Sequence, residues 1–225
     1  MRIWFSGRCF GQVLFQIDYY ICLKQIRFIR TIKKVEPMAS NIYLVWILDS
    51  SNSMKAKGKI NSINMIIRET IPLIVDLSHA YKSHNFFIRA ISFSTDAHWV
   101  DQKFQKIQEY SWHDLEAGGK SDLGAAFKKI REIWPGESQG STDSNSYIFV
   151  LITDGCPTDD WYGPLQNLVS NQTFTESIKI AITIQDTENE IPREFIGQKQ
   201  TNKGFILEVD DIERIPMSIM STIEK

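Results

Sequence analysis

Seven consecutive apolar residues, Ile42-Tyr43-Leu44-Val45-Trp46-Ile47-Leu48, run without a break and stop at Asp49-Ser50-Ser51-Asn52-Ser53. A strand with one wet face alternates apolar and polar side chains, whereas an unbroken run is apolar on both faces and needs cover on both. The pattern predicts an interior strand of a parallel sheet, ending in a polar loop. Similar runs lie at residues 86–93, 147–153, 178–184 and 205–209, and residues 97–100 read as a short edge strand before a mixed stretch at 102–116.

Between these runs the period changes. Ile63, Ile66, Ile67, Ile71, Ile74 and Leu77 make the stripe of an amphipathic helix over 61–80, in which Pro72 is expected to introduce a kink. A second helical spacing runs through Ala125, Phe127, Ile130 and Trp134 and should stop at Pro135-Gly136. Residues 164–170 suit a short helix, residues 137–145 and 185–203 are polar, and Asp210 can cap a terminal helix carrying Ile212, Ile215, Ile219 and Ile223. Strands alternating with helices, each strand apolar on both faces, predict an α/β fold: an open, doubly wound, mostly parallel central sheet with helices on both faces, Rossmann-like in layout.

Hydrophobic content of 43% and charged content of 23% in 225 residues exclude a fibrous or wholly disordered chain. The net charge of −2 gives no electrostatic case for nucleic-acid binding. It divides unevenly: residues 1–37 hold seven basic and two acidic side chains, a net +5, which leaves 18 basic and 25 acidic and a net −7 for the rest. Residues 1–37 are read as a basic N-terminal extension outside the fold, because Met38 opens Met-Ala-Ser-Asn just before the first strand, and residues 38–225 as one domain. Residues 10–23 are too short and too polar for a membrane span, since Asp18 at its centre would cost ~2.5–3.5 kcal/mol. Cys9, Cys22 and Cys156 are an odd set without Cys-x-x-Cys spacing, which argues against a disulfide framework or a structural zinc and fits a reducing, cytoplasmic setting.

In doubly wound sheets ligands bind beyond the carboxyl ends of the strands, near the point where strand order reverses. Asp49 and Asp154 both fall at such ends. Asp49-x-Ser51-x-Ser53 presents a carboxylate and two hydroxyls from one turn, all hard oxygen donors. Magnesium takes near-octahedral oxygen coordination at about 2.0–2.1 Å and keeps several waters, so a few such groups with open positions suit it. The turn alone has a second reading, in which Asp49 and its serines only make local backbone hydrogen bonds.

Two further pieces follow in order at strand ends: Gly118-Gly119-Lys120-Ser121-Asp122-Leu123-Gly124-Ala125-Ala126, and Leu151-Ile152-Thr153-Asp154-Gly155. With the first turn they resemble the metal-ion-dependent adhesion site of von Willebrand factor A domains, a resemblance that extends from about Asn41 to the carboxyl end. Ser121 stands where that family usually has threonine: it keeps the hydroxyl and loses the methyl that restricts the rotamer. The continuation Cys156-Pro157-Thr158-Asp159-Asp160-Trp161 is similar to the TerY-like subgroup associated with tellurium resistance. The resemblance implies that Asp49, Ser51, Ser53, Ser121 and Asp154 surround a magnesium ion, with manganese or calcium as alternatives. It further implies a protein partner that supplies an acidic residue to the metal, and association with a kinase or phosphatase of a stress-response system.

Neighbouring residues have plainer readings. Asp159 and Asp160 read as solvated loop residues or part of a partner surface, Trp161 as a packing residue, and Lys55, Lys57 and Lys59 as a solvated loop that could touch an acidic partner. Lys120 would weaken metal binding unless its side chain points outward. His79, His84, His98 and His113 lack metal-ligand spacing, and no His near Cys156 suggests a nucleophile and base. Phosphate-loop, nucleophile-elbow and dinucleotide motifs are missing from the sequence. A protein-binding module rather than an enzyme is therefore expected, with a magnesium-dependent hydrolase or phosphatase as the alternative.

Overall fold

The computed structural model describes residues 40–134, 145–155, 157–184, 190–197 and 204–208. Several expectations lie outside the described residues: the extension 1–37 with Cys9 and Cys22, the Pro135-Gly136 stop, the loop at 137–144, Cys156 and the terminal helix after Asp210.

Among the described residues seven strands form one sheet in the order β3-β2-β1-β5-β6-β7, with β4 pairing against β2. They are β1 (Ser40–Asp49), β2 (His84–Phe93), β3 (Ala97–Trp99), β4 (Gln105–Lys106), β5 (Asn145–Thr153), β6 (Ile178–Thr183) and β7 (Gly204–Glu208). β1 is parallel to β2 and β5, and β5, β6 and β7 continue in parallel, while the short β3 and β4 run antiparallel to β2. The chain leaves β1 for β2 on one side and later returns to β5 on the other. The strand order therefore reverses between β1 and β5, whose carboxyl ends carry Asp49 and Thr153-Asp154.

Five helices accompany the described strands: α1 (Lys59–Ala80), α2 (Leu123–Ile130), α3 (Tyr162–Val169), α4 (Gln172–Glu176) and α5 (Glu190–Ile196). Successive residues of β1 point to opposite faces and both faces are dry, with Val45, Trp46, Ile47 and Leu48 fully buried. Leu44, Trp46 and Leu48 join Ile63, Ile66, Ile67, Ile74 and Leu77 of α1 in one core. Val45 and Ile47 join Leu123, Ala126, Phe127 and Ile130 of α2, and Leu165, Phe174, Ile191 and Phe195, in the other. Each fully buried Leu, Ile or Val contributes roughly 1.5–3 kcal/mol, which is why the unbroken runs decide the architecture.

Pro72 lies on an exposed part of α1, which continues unbroken to Ala80. α2 begins at Leu123, two residues earlier than its apolar spacing suggests, and passes into a 3-10 turn at Arg131–Ile133. The mixed stretch contains β4 and a 3-10 turn at Ile107–Glu109. α4 and α5 were not expected; α5 interrupts a stretch read as polar, because Ile191, Pro192 and Phe195 turn one face of it into the core. Among the described residues no helix is long and apolar enough to cross a membrane.

Candidate functional site

The end of β1 is tied down before any ligand is considered. Ser50 N and Ser50 Oγ both donate to Phe93 O at the end of β2, at 2.9 and 3.0 Å. The loop is then laced to the glycine segment, with Gly118 N donating to Ser50 O at 2.8 Å and Asn52 N to Gly119 O at 3.1 Å. Gly119 has φ +79°, and a Cβ there would lie 2.5 Å from Thr95 Oγ1 and 3.1 Å from Thr95 N. Only glycine fits that conformation and that approach.

Asp49 is fully buried. Its Oδ1 accepts from Ser51 N at 2.9 Å, and its Oδ2 from Thr153 Oγ1 at 2.8 Å and from Ser121 Oγ at a long 3.4 Å. Ser51 Oγ lies 2.9 Å from Ser53 Oγ. Burial pushes the Asp49 carboxyl above the usual carboxylate range; hydrogen bonds from Ser51 and Thr153 oppose that shift, and the negative charge of Asp154 adds to it. The structure thus links Asp49, Ser51, Ser53 and Ser121 in one hydrogen-bonded chain, with Asp154 close enough to be felt electrostatically.

Asp154, 4% exposed, has another partner: Lys59 Nζ approaches its Oδ2 at 3.0 Å. The other oxygen, Oδ1, is buried without a hydrogen-bond partner. Lys59 is the first residue of α1 and its side chain is only 12% exposed, so the solvated-loop reading is wrong for it. Lys55 and Lys57 are exposed as expected. The turn that delivers Lys59 contains Lys57 at φ +53° and Gly58 at φ +71°, which redirect the chain from the serine loop into α1. Lys120 is exposed, its backbone N donating to Thr95 Oγ1.

Asp159 also departs from the solvated reading. Its Oδ1 and Oδ2 accept from Gly124 N at 3.0 Å and Ala125 N at 3.1 Å, the second and third residues of α2, whose preceding Asp122 makes no side-chain cap. Thr158 completes the clamp: its N donates to Ser121 O at 2.7 Å and its Oγ1 accepts from Ser121 N at 3.1 Å while donating to Asp122 at 2.9 Å. The Pro157-Thr158-Asp159 segment therefore positions Ser121 and starts α2. Trp161 packs against the core as expected.

Thr153, quoted in the sequence motif without a role, joins the candidate site: its Oγ1 donates to Asp49 and accepts from Gly155 N at 3.0 Å. Among the described residues no group of three or more His, Cys, Asp and Glu side chains gathers, so serine hydroxyls have to make up most of any ligand set at Asp49 and Asp154. Two carboxylates, one of them with an unpartnered buried oxygen, and three hydroxyls are the donor chemistry that suits a hard divalent cation.

Comparison with solved structures identifies the fold of the chain. The chain is similar to the ArnB paralog VWA2 from Sulfolobus acidocaldarius, with a TM-score of 0.55, 21% identity, and coverage of 80% of this chain and 44% of that one. It is similar to a von Willebrand factor type A protein from Catenulispora acidiphila, with a TM-score of 0.55, 16% identity, and coverage of 82% and 42%. The pilus adhesin SpaC from Lactobacillus rhamnosus GG gives a TM-score of 0.59 at 11% identity, covering 82% of this chain and 30% of SpaC. The fold is that of von Willebrand factor A domains, and the chain spans less than half the length of each of these three relatives. No family model matches the sequence, and no curated protein matches it.

Proposed function

We propose that this chain is a protein-interaction module that holds a divalent cation, magnesium in the first place, between the carboxyl ends of β1 and β5. The observation that carries the reading is the buried Asp154 oxygen without a partner, beside Asp49 and the hydroxyls of Ser51, Ser53 and Ser121. An unsatisfied buried carboxylate oxygen is costly, and a hard cation is the ligand its chemistry favours. When bound, the ion would supply a Lewis-acidic bridge to a carboxylate of a partner protein. The exposed Lys55, Lys57 and Lys120, on the segments that carry Ser53 and Ser121, suit an acidic partner surface.

This reading assigns no catalytic residue, and manganese or calcium are the alternative occupants. Relatives of the fold include a pilus adhesin, which agrees with an interaction role. Likeness of the Thr153–Trp161 segment to TerY-like proteins supports a place beside a kinase or phosphatase in a tellurium-resistance or stress-response system. The test is magnesium titration calorimetry on the full chain, wild type beside Asp49→Ala, followed by partner capture with and without chelator. Saturable binding and chelator-sensitive capture, both lost in D49A, are expected. Failure of every variant to bind metal, with capture indifferent to chelator, would overturn the reading.

A further inference from the structure

Lys59 occupies a place that its local surroundings do not favour. It is the first residue of α1, where the aligned peptide dipoles leave a partial positive charge and cations are disfavoured, and no acidic residue sits in that first turn to offset it. Its side chain is nonetheless drawn in to 12% exposure, although a lysine at a helix start is free to extend into water. The counterbalancing contact is Asp154 Oδ2 at 3.0 Å, from a residue 95 positions away.

We infer that Lys59 is a built-in counter-cation of the site, which competes with a divalent ion for Asp154. The inference rests on the metal reading given above and adds the residue that sets the affinity. Asp49 and Asp154 together carry two negative charges, and one ammonium lowers the surplus to one. A lysine charge at this depth is poorly screened by salt, so a second cation on the same carboxylate meets direct repulsion. An ion entering at the free Oδ1 meets the ammonium on Oδ2 and loosens that pair by repulsion, and the chain without metal keeps Asp154 paired and in position. Removing the charge should tighten divalent binding and leave Asp49, the serines and Thr153 as they are.

The experiment is magnesium calorimetry on the full chain for wild type, Lys59→Gln, Lys59→Arg and the double variant Asp49→Ala/Lys59→Gln. K59Q should bind roughly tenfold tighter or more, within the usual range for coupled sites. K59R keeps the charge and should stay at the wild-type affinity, and the double variant should not bind. Binding by K59Q with a silent wild type also supports the inference, because the ammonium alone then closes the site. K59Q no tighter than wild type, or K59R tightened as much as K59Q, overturns it while leaving the metal reading in place. Absence of binding in all variants refutes the metal reading and the inference together. Should K59Q fail to fold, amine acetylation of the wild-type chain read by mass spectrometry decides: labelling of Lys59 should rise with magnesium, and unchanged labelling overturns the proposal.

Discussion

Asp159→Ala tests the clamp between the β5 loop and α2 without reference to any ligand. The Asp159 carboxylate accepts from the amides of Gly124 and Ala125, two donors left without intrahelical partners at the start of a helix of eight residues. Loss of a side-chain cap of this kind costs ~1 kcal/mol, and loss of the negative charge at the positive end of the helix adds ~0.3–1 kcal/mol. Since no side chain of the adjacent sequence substitutes for it, the two contributions should combine to about 1.5–2 kcal/mol. For a chain of this size that corresponds to a drop of about 3–8 °C in Tm. Thermal denaturation by circular dichroism, with urea unfolding for the free energy, measures it, and Asp159→Asn gives an intermediate that removes the charge and keeps one of the two acceptors. D159N should lose the electrostatic part and one of the two hydrogen bonds, and so melt between wild type and D159A. A D159A chain that melts within about 1 °C of wild type, against the several degrees expected, would show that the clamp contributes nothing and that Ser121 is held some other way.

Thr153→Val keeps the β-branched shape in β5 and removes the donor to Asp49 Oδ2 at 2.8 Å; a cost of roughly 1.5–3 kcal/mol is expected in urea unfolding, as for hydrogen bonds to charged groups. Asp49→Asn should change the pH dependence of metal-free stability. Because burial raises the folded-state pKa of Asp49 above 3.8, ionised Asp49 costs stability, so the wild type loses ground as pH rises from the unfolded value through the folded one. The advantage of D49N over wild type should therefore grow across that window and be small below it; an advantage independent of pH would contradict the assignment.

The strands were legible because the sequence pattern and the physics coincide: Val45, Trp46, Ile47 and Leu48 are apolar on both faces and each is fully buried. The long α1 was legible for the same reason, its isoleucine stripe meeting Trp46 and Leu48 in one core. α4 and α5 were not, because five and seven residues hold too few turns to establish a period. Phe174, and Ile191 with Phe195, become informative only once a sheet face exists for them to cover.

The site divides along the same line. Asp49, Ser51 and Ser53 sit within one turn, and their contacts follow from that local geometry. Ser121 and Asp154 needed pairings that no single segment encodes: the adjacency of β1 and β5 for Asp154, and for Ser121 a coil before α2, not a strand end, that reaches Asp49 and Thr158. Lys59 and Asp159 were misread for a common reason: charged residues in polar turns are usually solvated, and nothing near them in sequence says otherwise. Each is captured by a partner 95 or about 35 residues away, Lys59 by Asp154 and Asp159 by the amides of Gly124 and Ala125. Both contacts stem from loops converging where the strand order reverses. Carboxylates at such a point accept from the positive groups that neighbouring helix starts offer, Asp154 from the ammonium of α1 and Asp159 from the first amides of α2. On the proposed metal reading, the affinity of this site for a divalent cation would follow how much of its negative charge the fold has already neutralised.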